Sequence, residues 1–223
     1  MTDGILTGLF DDDVVAVEAD LHRDVLDELT PEEAAALPRA HEHRVLEFRG
    51  GRHCARAALA GFGVRGASIL RHEDRSPIWP PGFVGSITHT RTRDRGWCAA
   101  AVARSSDVRG LGLDAEIDEP LERKLWSRVL VPAELTFLSS EPEDRRGFLG
   151  KLVFSAKEAT YKCQYAVTRE FLEFADVLVE IEQDRASFVA HLLRSAGSLA
   201  EGFRFHGRYA RRNGIIATAV VLR

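Results

Sequence analysis

Two periodicities divide the chain. Val84 to Thr90 alternates apolar and polar residues, the period of two that sends successive side chains to opposite faces of a strand. Trp97 to Ala103 follows as a second strand after a polar turn at Arg91 to Gly96, so the pair predicts a hairpin with a longer loop. Val14 to Glu18, Val108 to Glu116, Val177 to Ile181, Ser187 to Leu193, Gly202 to Ala210 and Gly214 to Leu222 read as further strands, and Ser68 to Arg71 as a short one. Helical spacing covers Arg39 to Leu46, then Arg52 to Gly61 after the Gly50-Gly51 pair, and Phe148 to Tyr165 throughout. Thr30-Pro31-Glu32-Glu33 is a helix start, with Thr as cap, Pro in the first turn and acids at the positive end; that helix is expected to end near Leu37-Pro38. A helix follows Pro120, another starts at Pro132 and Glu134, and Glu141 to Arg146 reads as a charged surface loop.

Each half of this pattern is a helix followed by strands, closing on a strand of small and branched residues: Trp97 to Ala103, then Ile215 to Leu222. The arrangement predicts an α/β (α+β) protein built from a duplicated unit, residues 1–108 and 109–223, although the halves share too little identity to demonstrate duplication. No Ser-, Gly- or Pro-rich linker separates them, so they are expected to pack as one body.

Composition narrows the classes. The chain has 223 residues, 45% hydrophobic and 29% charged, enough for a sizeable core. A formal net charge of -4 argues against a general nucleic-acid binder, so any anion must be held by a local basic cluster. Three scattered cysteines, without a CxxC spacing, fit free thiols in a reducing compartment. No basic and apolar leader precedes Asp11 to Asp13, and the longest apolar stretch, Gly214 to Leu222, is far short of the roughly 20 residues of a membrane helix. The expectation is a cytoplasmic protein with no membrane partner.

Four constellations carry candidate chemistry. In Gly112-Leu113-Asp114-Ala115-Glu116, strand geometry puts Asp114 and Glu116 on one face, with Leu111 and Leu113 on the other. Two hard carboxylates on one edge suit Mg²⁺, which takes oxygen ligands and completes its shell with water or phosphate; a bare Asp-x-Glu is equally an acidic strand end. In Phe154 to Lys162, Glu158 and Lys162 are helical neighbours at i and i+4, and Lys157 and Tyr161 form the adjacent pair. Such a pair on a surface contributes only about 0.2–0.5 kcal/mol, but the apolar density around it predicts a mostly buried helix whose charges need partners. Arg44, Arg52 and Arg56 form a basic helical set able to chelate phosphate oxygens or simply to face water. His89 ends a strand approached through Pro77, Pro80, Pro81 and Gly82, with Arg71 and Arg75 upstream.

Singly weak, these motifs in this order resemble the surfactin-type 4′-phosphopantetheinyl transferases, including the enterobactin synthetase component D branch. The matching residues are Gly51-Arg52-x-Cys54-Ala55-Arg56-x-Ala58-Leu59, Pro77-x-Trp79-Pro80-x-Gly82-x-x-Gly85-Ser86-Ile87-Thr88-His89, Gly112-x-Asp114-x-Glu116 and Phe154-Ser155-Ala156-Lys157-Glu158-Ala159-x-Tyr161-Lys162. They span about residues 40 to 180. Ala115 departs from the family, which often carries a larger aliphatic residue there.

The resemblance implies a pseudo-dimer of two similar α/β halves with coenzyme A, the co-substrate, in the cleft between them. It implies that Arg44 and Arg52 hold the 3′-phosphate, that Arg71 and the loop to Arg75 line the adenine and phosphate pocket, and that Thr88 and His89 touch the adenosine and pyrophosphate region. Asp114, Glu116 and Glu158 would bind Mg²⁺ (or Mn²⁺), and Lys157 and Lys162 would neutralise phosphate charge. Arg56 would brace the carboxylates or touch the ligand. The implied reaction is attack by a serine hydroxyl of an apo acyl or peptidyl carrier domain on the phosphorus bearing pantetheine, releasing 3′,5′-ADP. Glu158, Lys162 and His89 are its catalytic candidates. An acidic carrier would dock near Arg91, Arg93 and Arg95, unless those residues are only a solvated turn. Two fused halves make a monomer the expectation, and secondary metabolism or siderophore assembly the expected setting. The other readings are a Mg²⁺-dependent phosphohydrolase or nucleotidyl transferase, and a non-catalytic coenzyme A or carrier-binding module.

Overall fold

The computed structural model describes residues 4–37, 40–92 and 95–223. In chain order the elements are β1 (Val14–Asp20), α1 (Pro31–Ala35), α2 (Glu42–Gly61), β2 (Phe83–Arg91), β3 (Gly96–Arg104), β4 (Gly110–Ile117), α3 (Arg123–Val129), α4 (Pro132–Ser140), α5 (Glu143–Thr168), β5 (Val177–Glu182), β6 (Ser187–Leu192), β7 (Arg204–Arg212) and β8 (Ile215–Leu222). The strands form two antiparallel sheets, ordered β1-β3-β2 and β4-β8-β7-β6-β5.

Alternation along the strands makes four layers. On β3, Trp97, Ala99, Ala101 and Ala103 face Leu111, Leu113 and Ala115 of β4 and Ala217 and Ala219 of β8. Alanines on both facing surfaces let the sheets approach closely. The opposite parity of β3, Cys98, Ala100 and Val102, packs under Cys54, Ala55, Ala58 and Leu59 of α2. The outer face of the second sheet is covered by α5 with α3 and α4, where Leu149, Val153, Ala156 and Ala159 meet Val177, Val179, Phe188 and Phe205. The α/β (α+β) class expected from the pattern is what is found, with one sheet formed by β1 to β3 and the other by β4 to β8.

Three local readings are corrected. The segments from Arg39 and Arg52 are one helix, α2, running through Gly50-Gly51; Pro38 and Arg39 lie outside the described residues. Gly50 is there for closeness rather than as a break: a Cβ would meet Leu21 Cδ2 at 2.3 Å and Cys98 Sγ at 2.7 Å. Ser68 to Arg71 makes only an isolated bridge, Arg71 with Pro77. The expected loop Glu141 to Arg146 is largely the first turn of α5, where Glu143 and Asp144 oppose the positive end of the helix dipole.

The internal echo has a physical counterpart. In the first unit, Glu33, at the third position of α1, closes a capping box with Thr30. Its carboxylate is fully buried and accepts from Ile69 N and from Arg56 of α2 at 2.8 Å each. In the second unit, Glu134 holds the same position in α4, accepts from Val131 N and Val179 N, and takes Lys157 of α5 at 2.8 Å. In both, a short proline-started helix is clamped by its own third-position glutamate to a cation from the long helix and to an amide of the next segment.

Candidate active site

The site begins with a close approach. A Cβ on Gly112 would lie 1.8 Å from the Ala159 carbonyl oxygen, so only glycine lets α5 lie this tightly on β4. The contact aims the α5 side chains at the α5-facing residues of β4, Asp114 and Glu116. Lys162 Nζ donates to Asp114 Oδ1 at 2.7 Å and to the Leu113 carbonyl at 3.0 Å. The other oxygen, Oδ2, accepts from Ser155 Oγ at 2.8 Å, and Ser155 shares a hydroxyl contact of 2.9 Å with Thr218 on β8. Asp114 is thus buried and held at both oxygens. Glu116 accepts from Lys151 Nζ at 3.2 Å.

Glu158 lies one residue along from the pinned Lys157, half-buried, and no hydrogen bond or ion pair joins its carboxylate to another described residue. Burial first, and the neighbouring Asp114 charge second, raise the Glu158 carboxyl above its ordinary range; Lys162 opposes the shift. The same two causes raise Glu116, against Lys151 and Lys162. Three carboxylates therefore share a poorly solvated edge with incomplete cationic compensation. Among the described residues no three acidic, histidine or cysteine side chains form a ready-made metal cage.

Across from this edge, α2 and β2 build a basic patch. Arg52 is buried; its guanidinium lies 3.5 Å over the Phe48 ring and donates Nε–H to the Ile69 carbonyl at 3.1 Å. Burial holds its pKa down to about 10, with Arg44, Arg71 and Arg56 adding repulsion and Glu33 opposing. Arg44 Nη1 lies 3.3 Å from Glu47 Oε2 and 3.2 Å from His89 Nε2. Burial depresses the His89 pKa, and the histidine lies in the fields of Glu47 and Arg44 from α2 and of Lys162 and Asp114 from the second unit. Ser86 joins the units physically: its Oγ accepts the Leu113 amide at 3.0 Å.

Two clefts flank Tyr161. One, of about 430 Å³, lies between the segment around Arg75 and Trp79, strand β2, and Tyr161, Lys162 and Tyr165 of α5. A strap closes its outer side: Tyr165 donates to Asp74 at 2.7 Å and Arg169 to Ser76 Oγ at 3.2 Å. The other, of about 410 Å³, is lined by Glu158 and Tyr161 with Arg128, Phe171, Leu172 and Phe174.

Comparison with known proteins decides what this arrangement belongs to. Residues 32–103 match the 4′-phosphopantetheinyl transferase N-terminal domain, and residues 110–219 match the 4′-phosphopantetheinyl transferase superfamily. The chain is 37% identical to 4′-phosphopantetheinyl transferase Svp of Streptomyces mobaraensis, over 87% of this chain and 78% of that one. It is 35% identical to 4′-phosphopantetheinyl transferase PptT of Mycobacterium tuberculosis, over 86% of this chain and 85% of that one. With 4′-phosphopantetheinyl transferase Npt of Nocardia iowensis the identity is 37%, over 85% and 87%. The chain belongs to the 4′-phosphopantetheinyl transferase family. It is a transferase whose family uses coenzyme A and carrier proteins and depends on a metal ion.

Within this transferase the expected site residues divide. Asp114, Glu116, Glu158 and Lys162 gather where α5 crosses β4, Arg44 meets His89 on the first unit with Arg52 in the field of Arg44, and Arg75 lines the larger cleft. Arg71 donates to the Ala36 carbonyl and acts on Arg52 through its charge. Lys157 departs from the expected phosphate contact. Its ammonium is buried, and its three protons go to Glu134 and to the Val129 and Phe174 carbonyls, each at 2.8 Å. Burial lowers Lys157 and raises Glu134, so their attraction does not fully offset desolvation. Thr88 is 3% exposed and shares strand parity with Ser86, which faces the second sheet, whereas His89 faces α2. Arg56 braces Glu33, not the carboxylate trio. Of the proposed docking arginines, Arg91 pairs with Glu47 and Arg95 donates to the Asn213 carbonyl; Arg93 lies outside the described residues. No helix among the described residues is long and apolar enough to cross a membrane. Sequence reasoning missed Glu47, Lys151 and Tyr165; for Glu47 a signal existed, an acid at i+3 from Arg44 on a basic helix.

Proposed function

We propose that this transferase, in the manner of the surfactin-type branch, moves 4′-phosphopantetheine from coenzyme A to a serine of an apo acyl or peptidyl carrier domain, releasing 3′,5′-ADP. The observation that carries the reading is that His89, paired with Arg44 on the first unit, lies in the fields of Lys162 and Asp114 of the second. Phosphate-binding cations lie on one side and under-compensated carboxylates on the other. That division suits a substrate with a 3′-phosphate at one end and a pyrophosphate at the other. Arg44 and Arg52 take the 3′-phosphate. Arg75 and Trp79 line the adenine end of the larger cleft, and the cleft beside Phe171 and Phe174 takes the pantetheine arm.

Asp114, Glu116 and Glu158 fit a hard divalent cation: all offer carboxylate oxygens, and burial leaves Glu116 and Glu158 short of positive charge. Mg²⁺, or Mn²⁺ with the same ligand taste, would supply Lewis-acid polarisation of the pyrophosphate. Lys162 and His89 offset charge on the transferring and leaving oxygens. Glu158, free of protein partners among the described residues, receives the serine proton. We propose further that the enzyme works as a cytoplasmic monomer on carriers of secondary metabolism or siderophore assembly. The hydrolase and pure-binder readings lose ground because the family comparison and the cation-paired carboxylates together point to transfer.

Intact-mass spectrometry of an apo carrier protein incubated with the enzyme, coenzyme A and Mg²⁺ tests this. The carrier should gain one phosphopantetheine, and the gain should vanish with EDTA or with Asp114→Ala. No gain across several carriers, or cleavage of coenzyme A without a carrier, would overturn it.

A further inference from the structure

Glu47 is an acid in the wrong place for simple electrostatics. It sits on α2 against Arg44, His89 and Arg91, beside the patch expected to receive a phosphate. Its side chain is 10% exposed, and both oxygens are used: Oε1 takes Arg91 Nε at 2.8 Å, while Oε2 lies 3.3 Å from both Arg44 Nη1 and His89 Nε2. Arg44 and His89 themselves are 3.2 Å apart. With the proton on Nε2, the His89 imidazole from the edge strand β2 and the Arg44 guanidinium from α2 are both donors, and they converge on one acceptor. Glu47 is that acceptor, and through Arg91 it also fixes the end of β2.

We infer that Glu47 is the positioning residue of the anion pocket. It holds Arg44 and His89 in the orientation that receives a phosphate, and so sets the preference for an adenosine ligand bearing a 3′-phosphate. The inference rests on the reading of Arg44 and Arg52 given above. Its sign is opposite to that of charge alone. Removing a carboxylate from beside a phosphate site should tighten phosphate binding if Glu47 acted only through its field. If Glu47 positions the donors, removing it loosens the site: charge-assisted hydrogen bonds are strong only when aligned.

The test is calorimetric titration of the full chain with 3′,5′-ADP and with 5′-AMP, comparing the native protein, Glu47→Gln and Glu47→Asp. The native protein should prefer 3′,5′-ADP. Glu47→Gln should cut that preference about tenfold by weakening 3′,5′-ADP alone, and Glu47→Asp should restore part of it. In turnover, Glu47→Gln should raise KM for coenzyme A and, because Glu47 also holds His89, lower kcat, and Glu47→Asp should recover part of both, a rescue that a general loss of fold would not produce. An unchanged or enlarged preference in Glu47→Gln, with a discriminating native protein, overturns the inference and leaves the transferase reading intact. A native protein that does not discriminate overturns both the phosphate assignment of Arg44 and Arg52 and the role of Glu47. Should Glu47→Gln fail to fold, the Glu47→Asp comparison decides: full native preference there overturns the inference.

Discussion

The two units share a frame and differ in what they put on it. α2 and α5 each lie on a sheet, and each sends a cation into a buried capping glutamate, Arg56 to Glu33 and Lys157 to Glu134. Two residues before that cation, each helix places a small side chain against its own sheet. In the first unit it is Cys54, whose Sγ is 3.7 Å from Cys98 Sγ on β3. In the second it is Ser155, whose Oγ is 2.9 Å from Thr218 Oγ1 on β8. Cys98 pairs across the ladder with Ala19, and Thr218 with Asp114. The same three positions are thus Cys54, Cys98 and Ala19 on one side and Ser155, Thr218 and Asp114 on the other. One is a dry contact in which the neighbouring Cys54 thiol first, and burial second, raise the Cys98 pKa far above its ordinary value. The other is a hydroxyl relay that orients a carboxylate. A residue past the cation the contrast repeats, Ala57 against Glu158. The comparison teaches that the scaffold was kept in both units while the carboxylate chemistry sits on one, leaving the first unit to supply arginines and His89.

The largest break in this comparison should come from the buried clamps. Lys157→Ala leaves Glu134 charged and about 1% exposed, with only two amide donors. A stability loss of about 3–5 kcal/mol is expected, because an uncompensated buried charge costs far more than its pair was worth. Arg56→Ala removes a side chain that is 12% exposed, so water can enter in its place; a smaller loss of about 2–3 kcal/mol is expected. Urea denaturation of both variants checks the ranking. Equal losses would mean that exposure does not separate the clamps. A Lys157→Ala enzyme of native stability but without coenzyme A binding would restore the direct phosphate role denied to it here.

Much of this frame was legible in the residues. The alternation of β2, the branched strand β8, and the Thr30 and Pro132–Glu134 helix starts stand where pattern and capping chemistry put them. What was not legible has a common cause. Lys157 and Glu158 are contiguous in sequence and look like one site. Adjacent residues diverge by about 100° on a helix, so Lys157 turns to Glu134 while Glu158 lies in the field of Asp114. Glu47 belongs to no motif, and its value depends on β2 arriving from far along the chain. Gly50-Gly51 resembled punctuation because the neighbours that demand its smallness, Leu21 and Cys98, are remote in sequence.

A middle-sized effect would sharpen the thiol–hydroxyl contrast. The double substitution Cys54→Ser, Cys98→Thr writes the second unit's hydroxyl pair into the first. Both sites are 0% exposed, and Ala19 offers no carboxylate to complete the relay. The carbonyls of Ala19 and Cys98, near which the thiols now lie, can accept the new hydroxyls. A loss of about 1–2 kcal/mol is expected, measured by thermal and urea unfolding. No loss would show that this position tolerates polarity in either unit, and that the dry pair is not what distinguishes them.

The smallest effect is expected where the units are tied by exposed groups. Tyr165 at the end of α5 donates to Asp74, and Asp74 also accepts from the Ser76 amide and hydroxyl. The Ser76 hydroxyl is the first cause, and Tyr165 the second, that hold the Asp74 carboxyl down to about 2. Because Ser76 alone keeps the Asp74 turn, Tyr165→Phe should leave stability unchanged and loosen only the tie between the strap and α5. The strap carries Arg75, a non-glycine residue at a φ of 72°, so its geometry at the cleft depends on being held at both ends. KM for coenzyme A should rise about two- to threefold at constant kcat, the size expected from one hydrogen bond in contact with water. A KM indistinguishable from native would show that the strap keeps its shape from the Asp74–Ser76 turn and Arg169. The first unit would then present its ligand surface without help from the second.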